Sequence, residues 1–228
     1  MKYRKIGIVV ADGCEFEPLR RLENTQKSVF QGMECIRFSV GQIEVCALLC
    51  GIGKVNAAAA AAFLVCDGAE LLVSTGWSGG IHGISKGMTA VATRFLEHDF
   101  DLTPLGYEKA QKPDQQWIYD ADFEVNAVFK RLYPDLKEGT MVSGDCFVCD
   151  DKLRTELSEK YDAISCDMES AAVASVGFKS GVPVVALRRI SDDAGDSANE
   201  MYTATCEIYE TAMIDMVLAA VSVLSEVE

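Results

Sequence analysis

Three apolar segments of this chain run into carboxylates. Glu15 lies just past the first, in Ala11-Asp12-Gly13-Cys14-Glu15; Asp167 and Glu169 flank Met168 ahead of a small-residue segment; Asp192 follows Ile190-Ser191. A lone acid at a helix start reads as a cap, and any one of these fits a solvated surface. Acids at three separate strand ends also fit a pair of acid and base roles. Glycoside cleavage needs such a set: one carboxyl protonates the leaving group, another activates water, and hydrogen bonds hold the sugar hydroxyls around an oxocarbenium-like transition state.

Other motifs carry less. Gly76-Trp77-Ser78-Gly79-Gly80 matches the G-x-S-x-G elbow of serine hydrolases, which requires an acid and then a histidine downstream. The two histidines, His82 and His98, follow closely, with no aspartate between Ser78 and His98. Gly51-Ile52-Gly53-Lys54 is half of two phosphate loops: a Walker loop needs glycine at Leu48 and a hydroxyl at Val55, and a dinucleotide fingerprint needs a small residue at Asn56. It reads as a tight strand-to-helix turn. Cys146-Phe147-Val148-Cys149 is a C-x-x-C without a second pair, a poor metal or redox signature.

The elements that must position these residues follow from pattern. Apolar runs at 6–11, 44–49, 70–74, 88–95, 140–143 and 182–187 read as strands. Segments 54–65 and 170–180 read as helices and 192–199 as a loop, and the strand at 70–74 enters Thr75-Gly76-Trp77-Ser78-Gly79-Gly80. Residues 202–224, with Ile208, Met213, Met216, Val217 and Ala220 at helical spacing, predict one long C-terminal helix. Alternating strands and helices predict a three-layer α/β/α fold around a central mixed, largely parallel sheet, with sites at strand ends.

Composition bounds the partners. With 228 residues and no linker-like run, residues 1–228 read as a single domain. A formal net charge of −14 argues against nucleic acid, whose phosphates need clustered Lys and Arg. The longest apolar stretch, residues 57–66, is about half a membrane span. The first residues lack the pattern of a signal peptide, and nine scattered cysteines suggest reduced thiols, so a soluble, cytoplasmic protein is expected.

Taken in order, Lys5-Ile6-Gly7-Ile8 with Glu15, Gly51-Ile52-Gly53-Lys54-Val55, Thr75-Gly76 with Gly79-Gly80, His98-Asp99 through Gly106-Tyr107-Glu108, Val142-Ser143-Gly144-Asp145 with Phe147, Met168-Glu169 and Ile190-Ser191-Asp192 resemble the nucleoside phosphorylase superfamily over nearly the whole chain. Within it the sequence is most similar to bacterial 5′-methylthioadenosine/S-adenosylhomocysteine nucleosidases. The resemblance implies hydrolysis of an adenine nucleoside without cofactor or metal. It implies that Asp192 protonates adenine N7 with support from Ser191, that Glu15 takes a proton from water, and that Arg188 helps place that water. Glu169 would bind the ribose hydroxyls above Met168, Phe147 and Val148 would hold the adenine, and Ile52 would line the space for the 5′-substituent. The segment around Leu105, Tyr107 and Pro113 would reach a partner's site, which implies a homodimer.

The chain departs from the family pattern at three places. Trp77 stands where a small hydroxyl residue is usual, with Ser78 beside it to supply a hydroxyl. Asp167 is one methylene shorter than the usual glutamate, and Arg189 replaces a small residue. An indole at 77 would reshape the pocket, so adenosine and aminodeoxyfutalosine are also candidate substrates. The rival readings are phosphorolysis, which the acid Glu15 disfavours because it repels phosphate, and a non-catalytic nucleoside-binding domain.

Overall fold

The structure is a computed structural model that describes residues 2–206 and 211–226. The chain runs through β1 (Lys5–Val10), α1 (Gly13–Arg20), β2 (Gln26–Phe30), β3 (Met33–Val40), β4 (Ile43–Leu49), α2 (Lys54–Cys66), β5 (Leu71–Gly80), β6 (Thr89–Glu97) and β7 (Ile118–Asp120). It continues through α3 (Phe123–Leu132), β8 (Lys137–Ser143), α4 (Asp151–Tyr161), β9 (Ala163–Asp167), α5 (Ser170–Ser180), β10 (Val184–Asp192), α6 (Ala198–Cys206) and α7 (Ala212–Glu226).

Alternation along the central strands builds two cores, one on each face of the sheet. In β1, Ile6, Ile8 and Val10 enter the first core and Val9 the second; in β5, Leu71 and Val73 enter the first and Leu72 the second. The first core is closed by α7, through Ile214, Val217, Ala220, Val221 and Leu224, and by Val125 and Phe129 of α3. The second is closed by α2 and α5, whose inward faces are mostly alanine. Small side chains let these helices lie close to the sheet. At Gly7 a Cβ would stand 3.0 Å from the Leu64 side chain.

The sheet is mixed. β1 is parallel to β4 and β5, β5 to β10, and β8 to β6 and β9, whereas β2, β3 and β4 form an antiparallel meander. β5 is the pivot. Its first half pairs β1, its last two residues pair β9 antiparallel, and its other edge pairs β10 along most of its length. With β10 antiparallel to β6, the strands β5, β10, β6, β8 and β9 close into a ring. The site lies where β5, β9 and β10 end.

One strand end, one loop and one helix differ from expectation in the structure. Residues 75–80 continue strand β5, because their glycines serve close approach and not turning. A Cβ at Gly76 would meet Arg188 Nη1 at 2.5 Å and Glu15 Oε1 at 2.6 Å. β10 likewise runs on to Asp192, and 198–206 is helical. The long C-terminal helix is two, α6 and α7; Ile208 lies outside the described residues, Met213, Val217 and Ala220 are buried, and Met216 packs against the core. Pattern reading also missed the β2–β3 hairpin, whose β2 strand is largely exposed, and the short α1. Among the described residues, no helix is long and apolar enough to cross a membrane.

Candidate active site

A cleft of about 590 Å³, counting its open mouth, lies at these strand ends, within the range of small-molecule sites. Glu15, Ile52, Trp77, Ser78, Phe147, Val148, Asp167, Met168, Glu169, Ser191 and Asp192 all line it. Residues from six separate stretches of sequence thus converge on one wall.

Glu15 is delivered by the start of α1. Asp12 caps that helix, accepting from Cys14 N–H, while Glu15 Oε2 reaches back to Asp12 N–H at 3.2 Å in a capping box. The same carboxylate is a cap and a cleft group at once. Its Oε1 accepts the Trp77 main-chain N–H at 2.6 Å. Burial pushes Glu15 up to about 7, against the opposing pull of the Arg188 guanidinium and the Trp77 N–H.

Asp192 closes β10 at a register shift after Ile190, an irregularity of the kind that re-aims a side chain. Its Oδ2 accepts from the Ser191 hydroxyl at 2.6 Å and its Oδ1 from Ala194 N–H at 2.9 Å. Ala194 is buried with φ +53°, a left-handed conformation unfavourable for alanine. Gly79 leaves room for this turn, since a Cβ there would come within 3.1 Å of both Ala194 Cβ and Asp192 Oδ1. Asp192 is 2% exposed, and burial raises its carboxyl above the ordinary value despite the Ser191 and Ala194 hydrogen bonds.

Beneath the cleft lies a closed ionic floor. Arg188, 1% exposed, donates from Nε to Asp167 Oδ2 at 2.9 Å and from Nη2 to Ser74 and Ser170, and its Nη2 stands 3.5 Å from Glu169 Oε2. Asp167 Oδ1 also accepts from Ser143 Oγ and from the N–H groups of Glu169 and Ser170, so it caps α5 from outside the helix. Burial alone would push Asp167 up; Arg188 and these donors outweigh it and hold the carboxyl below its usual value. Glu169, with fewer donors, is pushed up by burial. Arg188 is not part of the cleft lining: its guanidinium is enclosed under Gly76 beside Glu15, with Nε and Nη2 engaged by Asp167, Ser74 and Ser170. Asp167 borders the cleft with both oxygens engaged.

The turn at Gly51-Ile52-Gly53-Lys54 is structural, as its sequence suggests. Gly51 and Gly53 have φ of +87° and +103°. The N–H groups that open α2 meet the protein's own carboxylates: Gly53 donates to Glu169 Oε1 at 3.0 Å and Lys54 to Asp145 Oδ1 at 2.8 Å. The anion-binding end of the helix is therefore filled from within.

Ser78 donates to the Cys166 carbonyl at 2.7 Å, while His82 is exposed and His98 is enclosed behind Gly144, so no hydrolase triad forms around it. Cys146 and Cys149 are exposed, and among the described residues no group of His, Cys, Asp and Glu is arranged to hold a metal. Tyr107 is 38% exposed and lies outside this chain's own cleft, as does Leu105. Sequence reasoning missed Asp12, Cys146 and Tyr202 in the lining. Tyr202, on α6, meets Phe147 edge-on at 5.5 Å between ring centres. Cys146 had a local signal, its neighbour Phe147, whereas Tyr202 comes from a segment read only as a core helix.

Known proteins share this fold. The chain is 33% identical to the 5′-methylthioadenosine/S-adenosylhomocysteine nucleosidase of Exiguobacterium sp., over 98% of its own length and 99% of the relative's. It superposes on the S-adenosylhomocysteine nucleosidase of Streptococcus pyogenes, solved in complex with 5-methylthiotubericidin, with a TM-score of 0.90, 27% identity and 98% of each chain covered. The futalosine hydrolase of Helicobacter pylori superposes with a TM-score of 0.89 at 26% identity, covering 96% of this chain and 97% of that one. The family model of the Phosphorylase superfamily matches residues 5–222, and the chain belongs to that superfamily.

Proposed function

We propose that this protein hydrolyses the N-glycosidic bond of adenine nucleosides, 5′-methylthioadenosine and S-adenosylhomocysteine, and releases adenine. One observation carries the reading. Glu15 and Asp192, both held above the ordinary carboxylate value by burial, face a cleft whose described lining contains no Lys, Arg or His. A phosphate nucleophile would meet those acids, the nearby Arg188 guanidinium is already matched by Asp167 and Glu169, and the helix end that could have received it is occupied by Glu169 and Asp145. Water needs only a base.

Asp192 gives its proton to N7 of adenine as the bond between C1′ and N9 breaks and its electron pair leaves with the base. Glu15 takes a proton from the water whose oxygen bonds to C1′. A base that titrates near 7 is strong enough for that transfer and still ionised in a large fraction of molecules. Ser191 orients Asp192 through its 2.6 Å hydrogen bond. Glu169 holds the ribose hydroxyls, with Met168, Trp77 and Ser78 around the sugar. Phe147 and Val148 bind adenine and Ile52 borders the 5′-substituent. Arg188 and Asp167 act from below, keeping Glu169 and Glu15 in place.

The exposed Leu105 and Tyr107, which this chain's own cleft does not use, support a homodimer in which they complete the partner's site. We place the enzyme in the cytoplasm, where its thiols stay reduced. The test is adenine release from methylthioadenosine in phosphate-free buffer, followed by its loss of absorbance or by chromatography. Strict dependence on added phosphate would move the protein to the phosphorylases.

A further inference from the structure

We propose that Lys54 is a positioning residue that latches the 144–149 segment to the 51–53 turn and so sets the spacing between the adenine side of the cleft and its Ile52 side. The inference rests on the reading of the cleft as an adenine-nucleoside site and adds a residue that touches no substrate.

Lys54 opens α2 directly after the turn that carries Ile52, and its ammonium leaves the cleft and enters a cluster of acids. Nζ stands 2.5 Å from Asp99 Oδ1, 3.2 Å from Glu97 Oε2 and 4.0 Å from Asp145 Oδ2. The main-chain N–H of Lys54 donates to Asp145 Oδ1, and the N–H of Asp145 donates to Asp99 Oδ2, both at 2.8 Å. Lys112 pairs with the other oxygen of Glu97. One lysine thus joins the end of β6, the loop after β8 and the start of α2, with its side chain 15% exposed. Two residues beyond Asp145 is Phe147, and one residue before Lys54 is Gly53, whose N–H holds Glu169.

Charge decides what the latch does. Glu97, Asp99 and Asp145 face two ammonium groups. Without Lys54, three carboxylates face Lys112 alone, and the partly buried pair that holds Asp99 against the loop becomes a repulsion. Asp145, half-exposed, has an outward path, and the loop carrying Phe147 and Val148 follows it. Asp192 on β10 and Glu15 on α1 have no contact with the cluster. Loss of the latch therefore weakens adenine-side binding and leaves the chemical step in place.

The experiment compares wild type, Lys54→Met and Lys54→Arg in three readouts: kcat and KM for methylthioadenosine, calorimetric affinity for adenine, and hydrogen exchange of the 144–149 amides. For Lys54→Met we expect KM and the adenine Kd to rise about tenfold, with kcat within about twofold. Exchange in 144–149 should be faster, and Lys54→Arg should restore most of both. Unchanged KM and adenine Kd in Lys54→Met, or a fall in kcat without a rise in KM, would overturn the latch. Should Lys54→Met fail to fold, Asp99→Asn takes its place, because the carboxamide still accepts the Asp145 N–H while the ion pair is lost; the same outcomes decide. A wild type that releases no adenine would defeat the nucleosidase reading, whereas adenine affinity and exchange would still decide the latch.

Discussion

Asp167 and Asp192 are the same side chain at the ends of neighbouring parts of one ring of strands, and their surroundings give them opposite properties. Asp167 has a guanidinium, two hydroxyls and two main-chain N–H groups on its oxygens, and its carboxyl is held low. Asp192 has one hydroxyl and one N–H, no cation against it, and a raised carboxyl. The fully partnered acid is held towards its ionised form by its donors and by Arg188. The under-partnered one is left able to carry a proton, which is what an acid catalyst needs.

The sharpest way to break that comparison is to remove the acid from each. Asp192→Asn should lower kcat by about a thousandfold, within the range expected for general acid catalysis, with an unchanged thermal midpoint. Asp167→Asn should cost stability first. Equal losses of turnover in both, with both folds intact, would show that the division is wrong.

Arg188→Met tests the floor. It leaves Asp167 and Glu169 buried without their counter-charge, and urea unfolding should show a loss of about 3–5 kcal/mol. A loss below about 1 kcal/mol would mean that the guanidinium is not what holds these acids.

Glu15→Gln separates stability from function with the opposite sign. The folded protein raises the Glu15 carboxyl to about 7, so its neutral form is the favoured one. That contribution is complete below the unfolded value near 4.5 and is lost as pH rises through 7. Glutamine is neutral throughout. The variant should therefore match wild type in stability near pH 4 and exceed it at pH 8 by on the order of 3 kcal/mol, while hydrolysis is lost. In wild type, carbon-13 NMR of labelled glutamate should show one side chain titrating near 7, a signal absent from the variant.

The smallest expected effect is at Ser143, whose hydroxyl donates to Asp167 Oδ1 and whose oxygen accepts from Ala171 N–H. Ser143→Ala should cost about 1–3 kcal/mol of stability, with KM nearly unchanged. A raised KM with normal stability would place Ser143 among groups that set the sugar site.

Much of the site was legible because strand ends in an α/β sheet are where chemistry gathers, and unusual polar residues after apolar runs mark them. Glu15, Asp192 and Glu169 were found that way. The burial of Arg188 was not legible, because a strand residue's facing depends on which neighbours crowd it, and only the packing shows Gly76 lying over its guanidinium. The continuation of the strand through Gly76, Gly79 and Gly80 was missed for a related reason: glycine permits both turns and close approach, and the local sequence does not distinguish them. The two-helix C-terminus was read as one because the helical spacing of Met213, Met216, Val217 and Ala220, all in α7, extends by pattern back to Tyr202, which belongs to a separate helix.

By itself the sequence determined the layered α/β architecture, the family, and the set of acids. These follow from periodicity and from residue types placed in order along the chain. Tertiary structure alone decided which acid's carboxyl is raised and which is lowered. That property depends on how many donors and cations lie within a few ångströms, and those come from Ser143, Ala194 and Arg188, residues far apart in sequence or unremarked in it.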